Sequence, residues 1–341
     1  MKKTLLATAV STLMVANVSA VELYNDGKNS FSVGGHLTVE LNDNSGDTKV
    51  TSNSPRINFS FDRDLGNGWA LDSRIEWGLS AFVDSKDDVL SNRLGYIGVG
   101  HDTYGRISAG KQWSTYVDVT GVTDQPIAWG SDSLFTYANG TDGGDLGLGR
   151  ANNAMQYRNG VSFGNAGDLN VGVQWQGVNG EFDDRIGASA TYNVGAVKLG
   201  YAYSGGDVDY SNVGQGVLNA TSQAVSVAYG TYGDGLNIAA AYAWSENLQT
   251  LNNEAGSAVT EEANGREVLA AYGLQNGINV YALYQGVEDD TNGLTIQEYT
   301  NFGVEYNLSP NTVVYGAYKV DHGNDIRDTD DAFAVGVRIY L

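Results

Sequence analysis

Arg56-Ile57-Asn58-Phe59-Ser60-Phe61-Asp62, the turn Gly66-Asn67-Gly68, and Leu71-Asp72-Ser73-Arg74-Ile75-Glu76-Trp77-Gly78-Leu79 decide how this chain is read. On both sides of the turn every second residue is apolar and its neighbours are polar or charged, the period of a β-strand with two unlike faces. A soluble sandwich also alternates, burying one face and wetting the other. Charges such as Asp72, Arg74 and Glu76 on a single face argue against a dry core on that side. Length decides further: runs of about nine to eleven residues match a tilted bilayer crossing and exceed the ordinary soluble strand.

Outward from that hairpin the pattern recurs. Residues 93–99 and 106–112 flank His101-Asp102-Thr103-Tyr104-Gly105, and in 169–176 Leu169, Val171, Val173 and Trp175 alternate with Asn170, Gly172, Gln174 and Gln176. Further pairs lie at 186–192 with 197–203, 223–229 with 236–244, 268–272 with 278–284, and 299–307 with 313–320. The chain closes with Phe333, Val335, Val337, Ile339 and Leu341 on one face and Ala334, Gly336, Arg338 and Tyr340 on the other. That predicts an all-β fold: a transmembrane antiparallel β-barrel of about 16 strands, wide enough for an aqueous channel. Short Gly/Asn turns alternate with long acidic loops, and Tyr192, Tyr203, Tyr229, Tyr232, Tyr242, Trp244 and Tyr306 fall at strand ends, where interfacial girdles sit.

Composition agrees. There are 45 Gly and 21 Tyr against 3 Pro and no Cys, so turns are abundant and no disulfide contributes. No run of about eighteen apolar residues supplies a transmembrane helix. The mean hydropathy of −0.26 fits a barrel whose strands bring one polar residue for each lipid-facing one. Lys2-Lys3, an apolar stretch over 5–18 and Val18-Ser19-Ala20 predict a cleaved secretory signal over 1–20, leaving 21–341 as the barrel. A net charge of −21 excludes nucleic acid as the expected partner.

Alternation lapses over residues 113–153, an unusual length for a loop. Lys111 and Arg150 flank it, and Asp118, Asp124, Asp132, Asp142 and Asp145 lie within it. Irregular backbone cannot face lipid but can line a wet cavity, so this segment is expected to fold inward and narrow the pore. Enzyme chemistry finds no foothold. His36, His101 and His322 lack ligand spacing, and neither a Cys nucleophile, a G-x-S-x-G nor a phosphate-binding glycine loop occurs. No metal and no cofactor is expected. The acids at 84–88 and 207–209 read as hydrated loops rather than calcium sites.

Glu22-Leu23-Tyr24-Asn25-Asp26-Gly27, Arg93-Leu94-Gly95-Tyr96-Ile97-Gly98-Val99, residues 105–118, Gly149-Arg150 through Met155-Gln156-Tyr157-Arg158-Asn159, and residues 332–341 together resemble the general diffusion porins of Gram-negative outer membranes, the vibrio-type porins among them. The resemblance spans nearly all of 21–341. It implies a homotrimer in outer-membrane lipid and lipopolysaccharide, with the third loop folded into each pore, passing small hydrophilic solutes and ions. Carried onto this chain, it places the basic side of the constriction at Arg56, Lys111 and Arg150 and the opposing acid at Asp124. The family's second loop acid is missing from Pro126-Ile127-Ala128-Trp129-Gly130, where Ala128 or a neighbour replaces it and Trp129 adds bulk. Strict alternation groups Lys111 with Ile107 and Ala109, so Lys111 needs a bulge near Gly110 to face inward. Arg74, Glu76, Asp118 and Asp132 are further pore-lining candidates. A channel for one solute class, or an adhesin or surface receptor using the loops, are the alternative functions.

Overall fold

The computed structural model describes residues 20–44, 47–80, 89–138, 144–253, 256–326 and 329–341. Residues 1–19 of the signal expected at 1–20, Asp142 and the acids at 84–88 lie outside them. Among the described residues sixteen antiparallel strands form a closed wall. They are β1 (Asn29–Asn44), β2 (Arg56–Gly66), β3 (Trp69–Leu79), β4 (Leu90–His101), β5 (Gly105–Trp113), β6 (Arg150–Ser162), β7 (Asp168–Gln176) and β8 (Phe182–Val194). The second half comprises β9 (Val197–Asp209), β10 (Val217–Thr231), β11 (Asp234–Glu246), β12 (Glu262–Gly273), β13 (Ile278–Asp289), β14 (Leu294–Ser309), β15 (Thr312–Asp321) and β16 (Ala332–Tyr340). Each strand pairs with the next, and β16 returns to β1 through His36↔Tyr340 to Asp43↔Phe333. Closure leaves no unpaired edge, the condition for a sheet to sit in lipid.

The seam has its own design. One half of β1 pairs with β16, and the other half pairs with the short strand Val21–Asn25 through Val21↔Val33 to Asn25↔Ser30. The two chain ends therefore meet along one strand, with the Leu341 N–H donating to the Gly35 carbonyl at 3.0 Å. Two additions escaped the alternation pattern: Asp47–Thr51, which pairs with β1, and a hairpin of Thr250–Asn253 and Gly256–Val259.

Outside, the alternate residues of the wall are apolar and exposed, for example Ile97 at 60%, Val173 at 52% and Val335 at 56%. An apolar surface this continuous is stable only against lipid or another protein. Exposed aromatics near the short turns, including Trp69, Tyr104, Phe163, Tyr229, Tyr272 and Tyr306, make the interfacial girdle. Tyr232 departs from its expected place there. It packs over Tyr281, an inward residue of β13, with ring centroids 6.3 Å apart.

Residues 114–138 and 144–149 run inside the barrel. Tyr116, Val119, Val122, Leu134, Phe135, Leu146 and Leu148 join one buried cluster with inward alanines of the wall, among them Ala202, Ala224, Ala239, Ala241, Ala243 and Ala263. The inner face of β9–β12 is thus rich in alanine where it carries the loop. At Gly265 the loop comes closest: an added Cβ would lie 1.7 Å from the Ser133 carbonyl oxygen, so no side chain fits. The lumen has a dry half filled by the loop and a wet half formed by the charged strands.

Candidate pore constriction

Four side chains meet on the wet half. The register sets Arg56 of β2 beside His36 of β1, and Asn58 beside Glu76 of β3. A bulge opposite Glu76 and Trp77 leaves Arg93 of β4 without a cross-strand partner and turns it inward. The Glu76 carboxylate, almost fully buried, accepts from Arg93 Nε at 3.0 Å and from Arg74 Nη2 at 2.7 Å, and Arg56 Nη1 stands at 3.9 Å. Three guanidiniums share one carboxylate. Ser54 steadies two of them, its Oγ accepting from Arg56 Nη2 at 2.9 Å and Arg93 Nη1 at 3.4 Å. Arg56 also feels the charge of Arg338 on β16.

The loop opposite is fastened along its length. The Glu267 carboxylate of β12, fully buried, accepts from Thr123 Oγ1, from Ser131 Oγ at 2.9 Å and from the Ser133 N–H at 2.9 Å. At the tip, the Ile127 N–H donates to Glu305 at 2.9 Å, and Asn301 Nδ2 donates to the Ala128 carbonyl at 2.7 Å. Asn53 Nδ2 donates to the Ile127 carbonyl at 2.8 Å. Ile127 and Ala128 pack on Val313, Tyr315, Ala317 and Ala334. Ala128 therefore serves as a packing residue, and the tip contributes no acid there. Trp129 lies under the Lys319 ammonium, which is 5.8 Å from its ring centroid and 5.3 Å from that of Tyr299.

Among the loop acids, Asp124 stays partly open, accepting from Tyr137 Oη at 3.0 Å and the Ser131 N–H at 3.3 Å. Tyr137 is within electrostatic range of Arg56, so Asp124 is the loop acid connected to the basic wall. Asp132 is tied to the far wall through Tyr299 Oη at 3.0 Å and Gln285 Oε1, which takes its N–H at 2.7 Å. Asp118 is a loop anchor: Arg158 Nη1 and Ser189 Oγ donate to its carboxylate, the latter at 2.8 Å, while Lys198 Nζ holds its backbone oxygen at 3.1 Å.

Lys111 lands elsewhere, and Arg150 stays at the loop's exit. A bulge does occur near Gly110, but its extra residue lies on β6, so the parity of Lys111 is unchanged. Lys111 pairs with Gly95, in register with the exposed Ile97 and Ile107, and its Nζ turns to the Asn92 carbonyl at 3.0 Å. Arg150 is buried at the loop's exit, its guanidinium 5.8 Å from the Trp113 ring centroid. Arg93 stands on Glu76 and takes the place expected of Lys111. The signal for Arg93 was present, since strict alternation would have put a guanidinium on the lipid face with Ile97, at a cost of about 2–4 kcal/mol near the midplane. Arg338 sat on the polar face of the closing strand and was not singled out.

A wide barrel with an internal loop and facing charges is the geometry of a channel. The family model described as Gram-negative porin matches residues 4–326. The chain belongs to the Gram-negative porins. It is an outer-membrane protein forming a water-filled channel for passive diffusion, and its relatives are channels rather than catalysts. Outer membrane protein YedS of Escherichia coli is 27% identical, covering 99% of both chains. Outer membrane porin N of Escherichia coli strain K12 is 25% identical, over 98% of this chain and 95% of the relative. Among solved structures, OmpF of Salmonella typhi superposes with a TM-score of 0.81 at 21% identity, covering 94% of this chain and all of that one. OmpT of Vibrio cholerae gives 0.69 at 18% identity, covering 94% and 100%.

Proposed function

We propose that solutes and ions cross this porin through a charged constriction between the wall residues Arg56, Arg74, Glu76 and Arg93 and the loop acid Asp124. The observation that carries the reading is the sharing of one Glu76 carboxylate by three guanidiniums, which leaves that wall net positive. Cations on one side and an acid on the other set up a transverse field that orients dipolar solutes and weights ion passage. No reaction is required of any residue. Planar-bilayer recording in a KCl gradient tests it. R56Q is expected to shift the permeability ratio toward potassium about fivefold, the effect of about 1 kcal/mol from one charge a few ångströms away in water. An unchanged ratio in assembled R56Q pores would sink the constriction and leave the channel standing.

The same reading includes a homotrimer seated in lipid and lipopolysaccharide, and removal of residues 1–20. On the outer face of β1–β3, Phe31 stacks on Phe59 at 5.9 Å, and Trp77 meets Phe59 edge-on at 6.2 Å, an apolar face suited to a second protomer. Ala20 abuts Gly34 beside the Leu341–Gly35 hydrogen bond, so the expected cleavage point lies at the barrel seam. Native mass spectrometry of purified protein reads both. The expected result is a protomer beginning at Val21 in an assembly of three; a monomer or a retained leader would refute the corresponding part.

A further inference from the structure

We infer that Arg338 is a selectivity-setting residue of this pore, acting through a charge that, among the described residues, no carboxylate meets at salt-bridge distance. The inference rests on the constriction described above and extends it to the other side of the barrel seam. Arg338 lies on the inward face of β16, directly across from Thr38 of β1, and is 7% exposed. Its guanidinium donates only to neutral acceptors: Nε to Thr38 Oγ1 at 3.0 Å, and Nη2 to the carbonyl and side-chain oxygens of Asn53, both at 3.4 Å. Among the described residues no carboxylate stands within salt-bridge distance of it, whereas Arg74, Arg93, Arg106, Arg158 and Arg266 each have one.

Its electrostatic neighbours deepen the contrast. His36 and Arg56 feel Arg338 as a like or potentially like charge. Two acids lie beyond salt-bridge distance: Glu305, which feels Arg338 and accepts from the Ile127 N–H, and Glu40, which accepts from Tyr315 Oη at 2.6 Å. Burying a guanidinium among neutral acceptors costs free energy that a glutamine on the same strand would avoid. The fold gains little in return, since Thr38 already has His36 Nδ1 at 3.1 Å. A lumen charge retained at that cost has its effect on what passes. Position agrees: Asn53, which accepts from Arg338, also holds the Ile127 carbonyl, so the charge stands where the loop tip meets the wall. With Ala128 buried in the tip, no loop acid at that point cancels it.

The test is zero-current potential in a KCl gradient across planar bilayers for wild type, R338Q, R338K and R74Q. R338Q is expected to lower the chloride-to-potassium permeability ratio about fivefold, from one charge near the ion path. R338K should stay within about twofold of wild type, and R74Q, whose charge is already shared with Glu76, should move the ratio less than R338Q. R338M, which keeps the apolar stem, repeats the measurement if the glutamine variant does not assemble. A wild-type ratio in assembled R338Q or R338M overturns the inference. If R56Q shifts the ratio and R338Q does not, only the role of Arg338 falls. If neither shifts it in conducting pores, the constriction falls as well.

Discussion

Glu267→Ala should loosen the internal loop and leave the barrel closed. The substitution strands Ser131 Oγ and the Ser133 N–H and leaves Thr123 Oγ1 only the Thr120 carbonyl at 3.2 Å, three donors that meet on one buried carboxyl group. Each buried donor left unsatisfied costs about 1–3 kcal/mol. The three share one acceptor and are not independent, so a total of about 3–5 kcal/mol is expected, comparable to breaking a buried charged pair. The wall is untouched, because β12 pairs with β11 and β13 through backbone groups. The loss therefore appears as a lower thermal transition, a larger single-channel conductance and noisier open levels, as the loop leaves Leu269 and its neighbours. Glu267→Gln preserves the shape and most acceptor capacity and should fall between the two. Wild-type conductance together with an unshifted transition in E267A would show that the apolar cluster alone holds the loop.

Glu76→Gln is expected to move selectivity in the direction opposite to R56Q. It removes the common counter-charge of Arg56, Arg74 and Arg93 and raises the positive charge of that wall by one. The permeability ratio should shift toward chloride by about fivefold, by the same one-charge estimate. Stability should fall too. Removing one partner of a buried pair costs about 3–5 kcal/mol, but Arg56 and Arg74 remain partly wet, which reduces the expected loss to about 2–3 kcal/mol. Reversal potential and heat-induced loss of the folded form measure the two effects on one preparation. A shift toward potassium would contradict the assignment of Glu76 as the acid of the basic wall.

How far the chain could be read from its residues follows from what each signal depends on. Alternation is local, so the strands, turns and inward loop were legible, as was the lumen face of Arg56, Arg74, Glu76 and Arg338. Plain alternation misplaces Arg93, because a single bulge reverses parity and has no compositional mark of its own in Leu90–His101; only the cost of a lipid-facing guanidinium points to it. The same reasoning, applied to Lys111, expected a reversal that did not come, since the extra residue at that bulge belongs to the opposite strand. The alanines of β9–β12 carry no direction of their own. Only the loop lying on Ala239, Ala241 and Ala243 tells that their face is inside and dry. Distances along the chain explain the rest: Thr123 meets Glu267, and Ile127 meets Glu305, pairings no local pattern reveals.

The seam along β1 governs the order in which this molecule can be built. The first strand of the wall waits for the last, since His36 pairs with Tyr340 and Asp43 with Phe333. Until then a strand edge stays open, inviting pairing with other chains. Contacts of such separation form slowly, because the whole intervening chain must be gathered first. A transcript cut short by a few codons would therefore yield sheets with two raw edges, a species for periplasmic proteases rather than a slightly weaker pore.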